Sequence, residues 1–194
     1  MKYFNFFLMI AVWSCTGNTQ IGDDYFEQGA YDEAIIAYSD YLSGHKPTVT
    51  VLYQRGRSFE EIGEYKHALV DFEKILELEK KNIIAQTSIA KVKYELGDFE
   101  QAVLAAQKAI KWGPDFAQSH FWLAKGVHQM GYFEAALKSY EKAIKLNPDY
   151  GDAFYYRGAL KISMDKVKSA CEDFRHAKRL NVEGSSIAKK KYCS

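Results

Sequence analysis

The feature that most limits what this chain can become is a self-match at a fixed offset of 34 residues, uninterrupted by insertion. Gly29, Gly63, Gly97 and Gly131 fall in register at that spacing, and Asp165, another residue type that suits a turn, takes the fifth place. Ala34, Ala68, Ala102, Ala136 and Ala170 make a complete second column. A small residue stands seven positions before each turn: Gly22, Gly56, Ala90, Ala124 and Gly158. A period of this size marks stacked supersecondary units, none of which can bury its apolar face alone.

Aromatic residues follow the same clock. Tyr31, Tyr65, Phe99 and Phe133 come two after the turn column, with Val167 last; Tyr38, Phe72, Tyr140 and Phe174 come four after the alanines, with Ala106 the exception. Two antiparallel helices approach closely only where both present small side chains, and rings fill the wider space beside that contact. Each turn residue ends a first helix, where a residue without Cβ is favoured, and Asp98 after Gly97 is placed to start the next helix. Pro114 and Pro148 close their units because proline cannot continue a helix.

The run Gly131-Tyr132-Phe133-Glu134-Ala135-Ala136, then Tyr140, Ala143 and Asn147-Pro148, resembles a tetratricopeptide repeat, and Gly29-Ala30-Tyr31-Asp32-Glu33-Ala34 resembles it nearly as closely. Repeats then run over 15–48, 49–82, 83–116, 117–150 and 151–184. Lys46, Lys80 and Val182 depart from a frequent Pro, and Arg55 and Arg157 from a usual Leu. The resemblance implies an all-α fold, a right-handed superhelical solenoid of five 34-residue helix-turn-helix repeats with a short C-terminal cap. Within 23–184, the array proper, repeat one is expected to be shorter, after a tether and repeat start at 15–22. Residues 185–194 are expected to form the cap, with Ile187, Ala188 and Tyr192 against the last hairpin and Lys189, Lys190 and Lys191 toward water.

Residues 1–14 differ in kind. One Lys2 precedes the apolar run Phe6 to Trp13, then Ser14 and Cys15. That is the profile of a secretory signal, and the run is about half the roughly 20 residues a spanning helix needs. Val12 at minus three and Ser14 at minus one make Cys15 resemble the lipidated cysteine of bacterial lipoproteins, although Trp13 is larger than that pattern usually carries. The implied location is export, with a lipid on Cys15 holding the chain to a bacterial membrane on the periplasmic side, the outer membrane before the inner. An ordinary cleaved signal and a buried apolar start are the alternatives.

Charge and motif narrow function by exclusion. Lys plus Arg number 26 against 25 Asp plus Glu, so no broad positive field draws nucleic acid. His45, His67, His120, His128 and His176 show no metal-ligand spacing, and there is no GxSxG, no phosphate-cradling Gly loop and no dinucleotide fingerprint. Neither an enzyme, a cofactor, a metal nor a small-molecule substrate is expected. In an oxidising compartment Cys171 and Cys193 can pair or remain two free thiols.

The family's groove is lined by the first helix of each hairpin, at its second, fifth, ninth and twelfth or thirteenth positions. Carried over, the ninth positions give Arg57, Lys91 and Lys125, a basic stripe bounded by Asp23 and Ala159. The fifth give Tyr53, Phe121 and Tyr155, with Thr87 a gap, and the later ones Glu60, Glu61, Tyr94, Glu95, His128 and Gln129. Rings beside cations suit a protein or peptide partner with aromatic and acidic side chains. The bland alternative pairs the stripe with Glu60, Glu61 and Glu95 on the same helices. The resemblance therefore implies a non-catalytic scaffold on a membrane, or else a structural subunit of an outer-membrane assembly or secretion complex.

Overall fold

A computed structural model describes residues 19–193. The leader at 1–14, Cys15 and the start of the tether lie outside the described residues.

Eleven helices and no strands make up the described chain. They form five hairpins: α1 (Gln20–Glu27) with α2 (Tyr31–Gly44), α3 (Val49–Glu61) with α4 (Tyr65–Leu78), α5 (Ile83–Glu95) with α6 (Phe99–Trp112), α7 (Ala117–Gln129) with α8 (Phe133–Leu146), and α9 (Gly151–Ser163) with α10 (Val167–Arg179). A last helix, α11 (Ser185–Tyr192), packs on α10. Each helix packs chiefly on its sequence neighbours, and the result is a helical-repeat solenoid.

The columns explain the hairpins. Gly29, Gly63, Gly97 and Gly131 all turn the chain at positive φ, between 75° and 81°, and Asp165 does the same at 58°. Only glycine enters that region without strain, and aspartate is among the residue types that tolerate it best. Thr48 and Asn82 cap α3 and α5, and Asp98 accepts a hydrogen bond from the Gln101 N–H at the start of α6. Inside every hairpin but the third, the small residue of the first helix receives the ring of the second. A Cβ on Gly56 would stand 2.7 Å from Cε1 of Phe72, and one on Gly158 2.8 Å from Phe174. Tyr38, Phe72, Tyr140 and Phe174 are accordingly among the most deeply buried side chains.

Two departures from the repeat pattern have structural answers. Arg55 and Arg157, where the family usually has Leu, each make a two-pronged hydrogen-bonded ion pair with an aspartate on the facing helix, Asp71 and Asp173, with closest contacts of 2.6 Å. Ala106, where the other hairpins carry a ring, is fully buried beside Ala90, while α5 and α7 pack directly on each other with Thr87 and Ser119 meeting at 2.7 Å. First helices touch first helices (α1 with α3, α5 with α7, α7 with α9), whereas no two second helices meet comparably. The first helices are thus the inner layer and α2, α4, α6, α8 and α10 the outer one.

At the C-terminal end a disulfide joins Cys171 of α10 to Cys193. Ala188 and Ser185 are buried on α11, and the Tyr192 ring stacks near Phe174 at 6.3 Å. Ile187, expected to cover the last hairpin, points to solvent instead. Ser185, Ala188 and Tyr192 follow a spacing of three and four that defines one helix face, and Ile187 falls off it.

Candidate functional site

The inner helices α3, α5, α7 and α9 enclose a cleft of about 390 Å³. Seven of the residues carried over from the repeat pattern line it: Tyr53, Arg57, Glu60, Lys91, Glu95, Phe121 and Lys125. Their positions recur every 34 residues, so successive inner helices bring them to one face.

The basic stripe is not uniform. Arg57 lies 2.8 Å from Glu60 through Nε and hydrogen-bonds Glu61 from Nη2 at 2.9 Å, while Lys91 reaches Glu60 across the repeat boundary at 3.6 Å. Glu60 is 5% exposed, and neither of its oxygens makes a well-aligned hydrogen bond, despite the two cations. Burial pushes its pKa up from the usual value, and Lys91 and Arg57 oppose that push. Arg57 and Lys91 therefore spend much of their charge on one buried carboxylate.

Lys125 is different. It is 8% exposed and makes no ion pair among the described residues. Its ammonium instead lies among rings, 4.2 Å from the centroid of Tyr156, 4.4 Å from Tyr94, 5.1 Å from Trp122 and 5.9 Å from Phe121. Burial lowers its pKa, partly offset by the more distant Glu95 and Asp152. The N–H donors of an ammonium so placed are open to an acceptor from outside.

The remaining candidates divide. Tyr94 belongs to the ring cluster around Lys125, and its hydroxyl accepts a hydrogen bond from Gln129 at 3.0 Å. His128 sits behind the cleft, edge-on to Phe133 and Tyr140, with its pKa lowered by burial and by Lys125. Tyr155 is not brought to the cleft: it packs on Phe174 and lies beside Gly184, where α11 takes the place a sixth repeat would occupy. The repeat pattern alone does not locate that cap, so the repeat register points the fifth position of the last repeat to the groove while the fold sets it against α10 and Gly184.

Trp122, Tyr156, Tyr150 and Asp152 line the cleft without having been singled out from sequence. Trp122 and Tyr156 stand 34 apart, so a column held the signal for both. Asp152 occupies a second position of its repeat and was likewise within reach. Tyr150 stands just before α9 and packs on Phe121 at 4.8 Å, a contact that only the folded turn creates. Among the described residues no group of three or more His, Cys, Asp or Glu could hold a metal ion.

Comparison with known families closes the question of kinship. Three family models match in succession, two described as tetratricopeptide repeat over residues 49–82 and 87–125, and one as TPR repeat over 127–162. The chain is a tetratricopeptide repeat protein. No curated protein gives a significant match. Among solved structures the TPR solenoid is similar to TTC0263, a thermophilic TPR protein of Thermus thermophilus, at 17% identity and TM-score 0.74, covering 89% of this chain and 94% of that one. It is also similar to MamA from Desulfovibrio magneticus RS-1, at 21% identity and TM-score 0.70, covering 84% and 92%. YrrB, described as a TPR protein with an unusual peptide-binding site, aligns at 20% identity and TM-score 0.62, covering 87% and 88%. At such identities the likeness establishes the shared solenoid fold. A TPR solenoid of this kind is a protein–protein interaction scaffold.

Proposed function

We propose that this scaffold is tethered to a bacterial membrane by a lipid on Cys15 and receives, in its inner cleft, an extended segment of a partner protein carrying acidic and aromatic side chains. The observation that carries the binding half is Lys125, a buried ammonium among four rings with no carboxylate of its own. An incoming carboxylate would gain a charge-assisted hydrogen bond in a site already partly stripped of water, and a neighbouring aromatic side chain would add to the ring cluster. Arg57 and Lys91 steer the same approach but are held by Glu60. YrrB, with its peptide-binding site, supports the reading by analogy of fold.

The tether half rests on the lipoprotein-like leader ending at Ser14-Cys15. No helix among the described residues is long and apolar enough to cross a membrane.

Two measurements test the halves separately. Full-length protein and Cys15→Ala are expressed in a bacterial host with a fatty-acid probe; wild type alone should take up label and sediment with membranes, and equal behaviour of the two would refute the tether. For the cleft, a fluorescent peptide of alternating Glu and Phe should bind wild type and lose about ten-fold or more affinity in Lys125→Met, the scale of a lost charge-assisted hydrogen bond. Unchanged affinity would remove Lys125 from the site.

A further inference from the structure

The two ends of the solenoid carry opposite charge. Hairpin one, α1 with α2, holds six Asp and Glu and no Lys or Arg. From Gly151 to Tyr192, the last hairpin and α11 hold ten Lys and Arg against five Asp and Glu. The near-neutral total of the chain conceals this separation.

Repeat register shows which of these residues face along the stack. Arg55 of α3 reaches back to Ser39 of α2, and a Cβ on Gly126 of α7 would stand 2.7 Å from Val103 of α6. Lys93, Gln101, Leu104 and Lys108 of hairpin three share a cleft with Glu73, Leu76 and Glu77 of α4. At these positions, then, a hairpin meets the one before it. In hairpin one the same positions are Ile21, Asp24, Tyr25, Glu33, Ile36 and Asp40, and all six are exposed because no described helix precedes them. Ile21 and Ile36 are 56% and 69% exposed. Asp24 accepts a hydrogen bond from Gln20, and none of the three acids makes an ion pair among the described residues. A terminal repeat ordinarily presents a polar outer face to water, whereas here two isoleucines and a tyrosine stand open among carboxylates.

The other end is the complement. Arg175, Lys178 and Arg179 of α10 stand where α4 has Glu73, Leu76 and Glu77, the positions that face a following hairpin, and all three are exposed. On α11, Ser185 and Ala188 turn inward, which leaves Ile187, 74% exposed, outside with Lys190 and Lys191. Arg179 contacts His176 and Lys191 lies over Tyr192, but none of these five cations makes an ion pair among the described residues. The acids nearby do not cancel them: Asp173 is held by Arg157 and Lys161, which leaves only Glu172 and Glu183 exposed on this end.

The junction of hairpins two and three already sets Glu73 and Glu77 of one side against Lys93 and Lys108 of the other. At the two ends the signs are exchanged. We infer that the acidic end of one copy of this chain docks on the basic end of another, head to tail, with the exposed isoleucines of both faces forming the apolar part of the contact. Charge complementarity of this kind selects the partner and the orientation, and like ends repel. Because the two faces differ, each pairing leaves one end of either kind free, and the row can grow beyond a dimer. Neither end includes a residue that lines the inner cleft, so assembly and partner binding are separable.

The test is sedimentation velocity of the full-length protein over a range of concentrations. Wild type should form species larger than a dimer as concentration rises and dissociate at about 1 M salt, where the screening length falls to about 3 Å. One variant reverses the acidic end (Asp24→Lys, Glu33→Lys and Asp40→Lys) and a second the basic end (Lys178→Glu, Lys190→Glu and Lys191→Glu). Each alone should associate about ten-fold or more weakly. Mixed in equal amounts the two should associate again, because each supplies the wild-type end that the other has lost; misfolding, or aggregation through the apolar leader, cannot produce that result. Circular dichroism confirms that both remain helical, and Lys125→Met should assemble as wild type does. A wild type that stays monomeric, association that persists in each variant alone, or a mixture that fails to associate would each overturn the inference. Salt-sensitive sedimentation of a monomeric protein with phosphatidylglycerol but not phosphatidylcholine vesicles, lost in the second variant, would assign the basic end to anionic lipid and overturn the second copy too.

Discussion

Replacing Arg55 by Leu restores the residue type usual at that position of the repeat, yet it should destabilise this protein severely. The reason is Asp71, whose side chain is 2% exposed and whose two oxygens take both prongs of the guanidinium at 2.6 and 2.8 Å. Removing Arg55 leaves a buried charge without its partner, a change that costs about 3 to 5 kcal/mol. The reverse deletion, Asp71→Ala, should cost less, about 1 to 3 kcal/mol. Arg55 is 21% exposed, keeps Ser39 at 3.1 Å and the Phe59 ring at 5.9 Å, and can extend toward water. The double variant Arg55→Leu with Asp71→Ala removes both charges and should return to within about 1 kcal/mol of wild type. The homologous pair supplies an internal control. Asp173 is also held by Lys161 at 2.8 Å, so Arg157→Leu should be milder than Arg55→Leu. Urea unfolding followed by circular dichroism measures each cycle, with unchanged m-values required for the comparison. Additive single-variant costs, or a double variant as unstable as Arg55→Leu, would refute the reasoning.

Three further outcomes are expected. Gly56→Ala places a Cβ 2.7 Å from Phe72, and the overpacking should outweigh the roughly 1 kcal/mol gain in helix propensity, giving a net loss of about 1 to 2 kcal/mol in urea unfolding; a stabilised variant would show that the ring shifts freely. Burial raises the pKa of Glu60 above the usual carboxylate range, so its contribution to stability is greatest below the unfolded value and falls as pH rises through the raised folded one; Glu60→Gln should gain on wild type over that interval and hold the gain above it, and a parallel pH profile for the two would contradict this. Cys193→Ser opens the 22-residue loop to Cys171 and should cost about 3 kcal/mol, with amide exchange quickening first in α11; uniform protection across α11 would mean that Ala188 and Tyr192 hold the cap without the bridge.

The period of 34 residues determined the hairpins, their turns and their sequence of stacking, because each column has a local cause. A turn at positive φ needs glycine or a close substitute, as Asp165 is, and a ring needs a small residue opposite, as Phe72 needs Gly56. Arg57, Lys91 and Lys125 were legible as an inner-face stripe for the same reason. Which of them is free was not legible. Glu60 lies three residues from Arg57 but one repeat away from Lys91, and only the packed interface decides that it faces both and leaves Lys125 to the rings. Tyr155 shows the same limit: its repeat position points to the groove, and α11, folded back by Gly184, covers it. Local conformation and helix contacts within one repeat depend on near neighbours in sequence. Charge balance, cap placement and the lining of the inner cleft depend on which surfaces meet between repeats, and those follow from the superposed geometry of the whole stack.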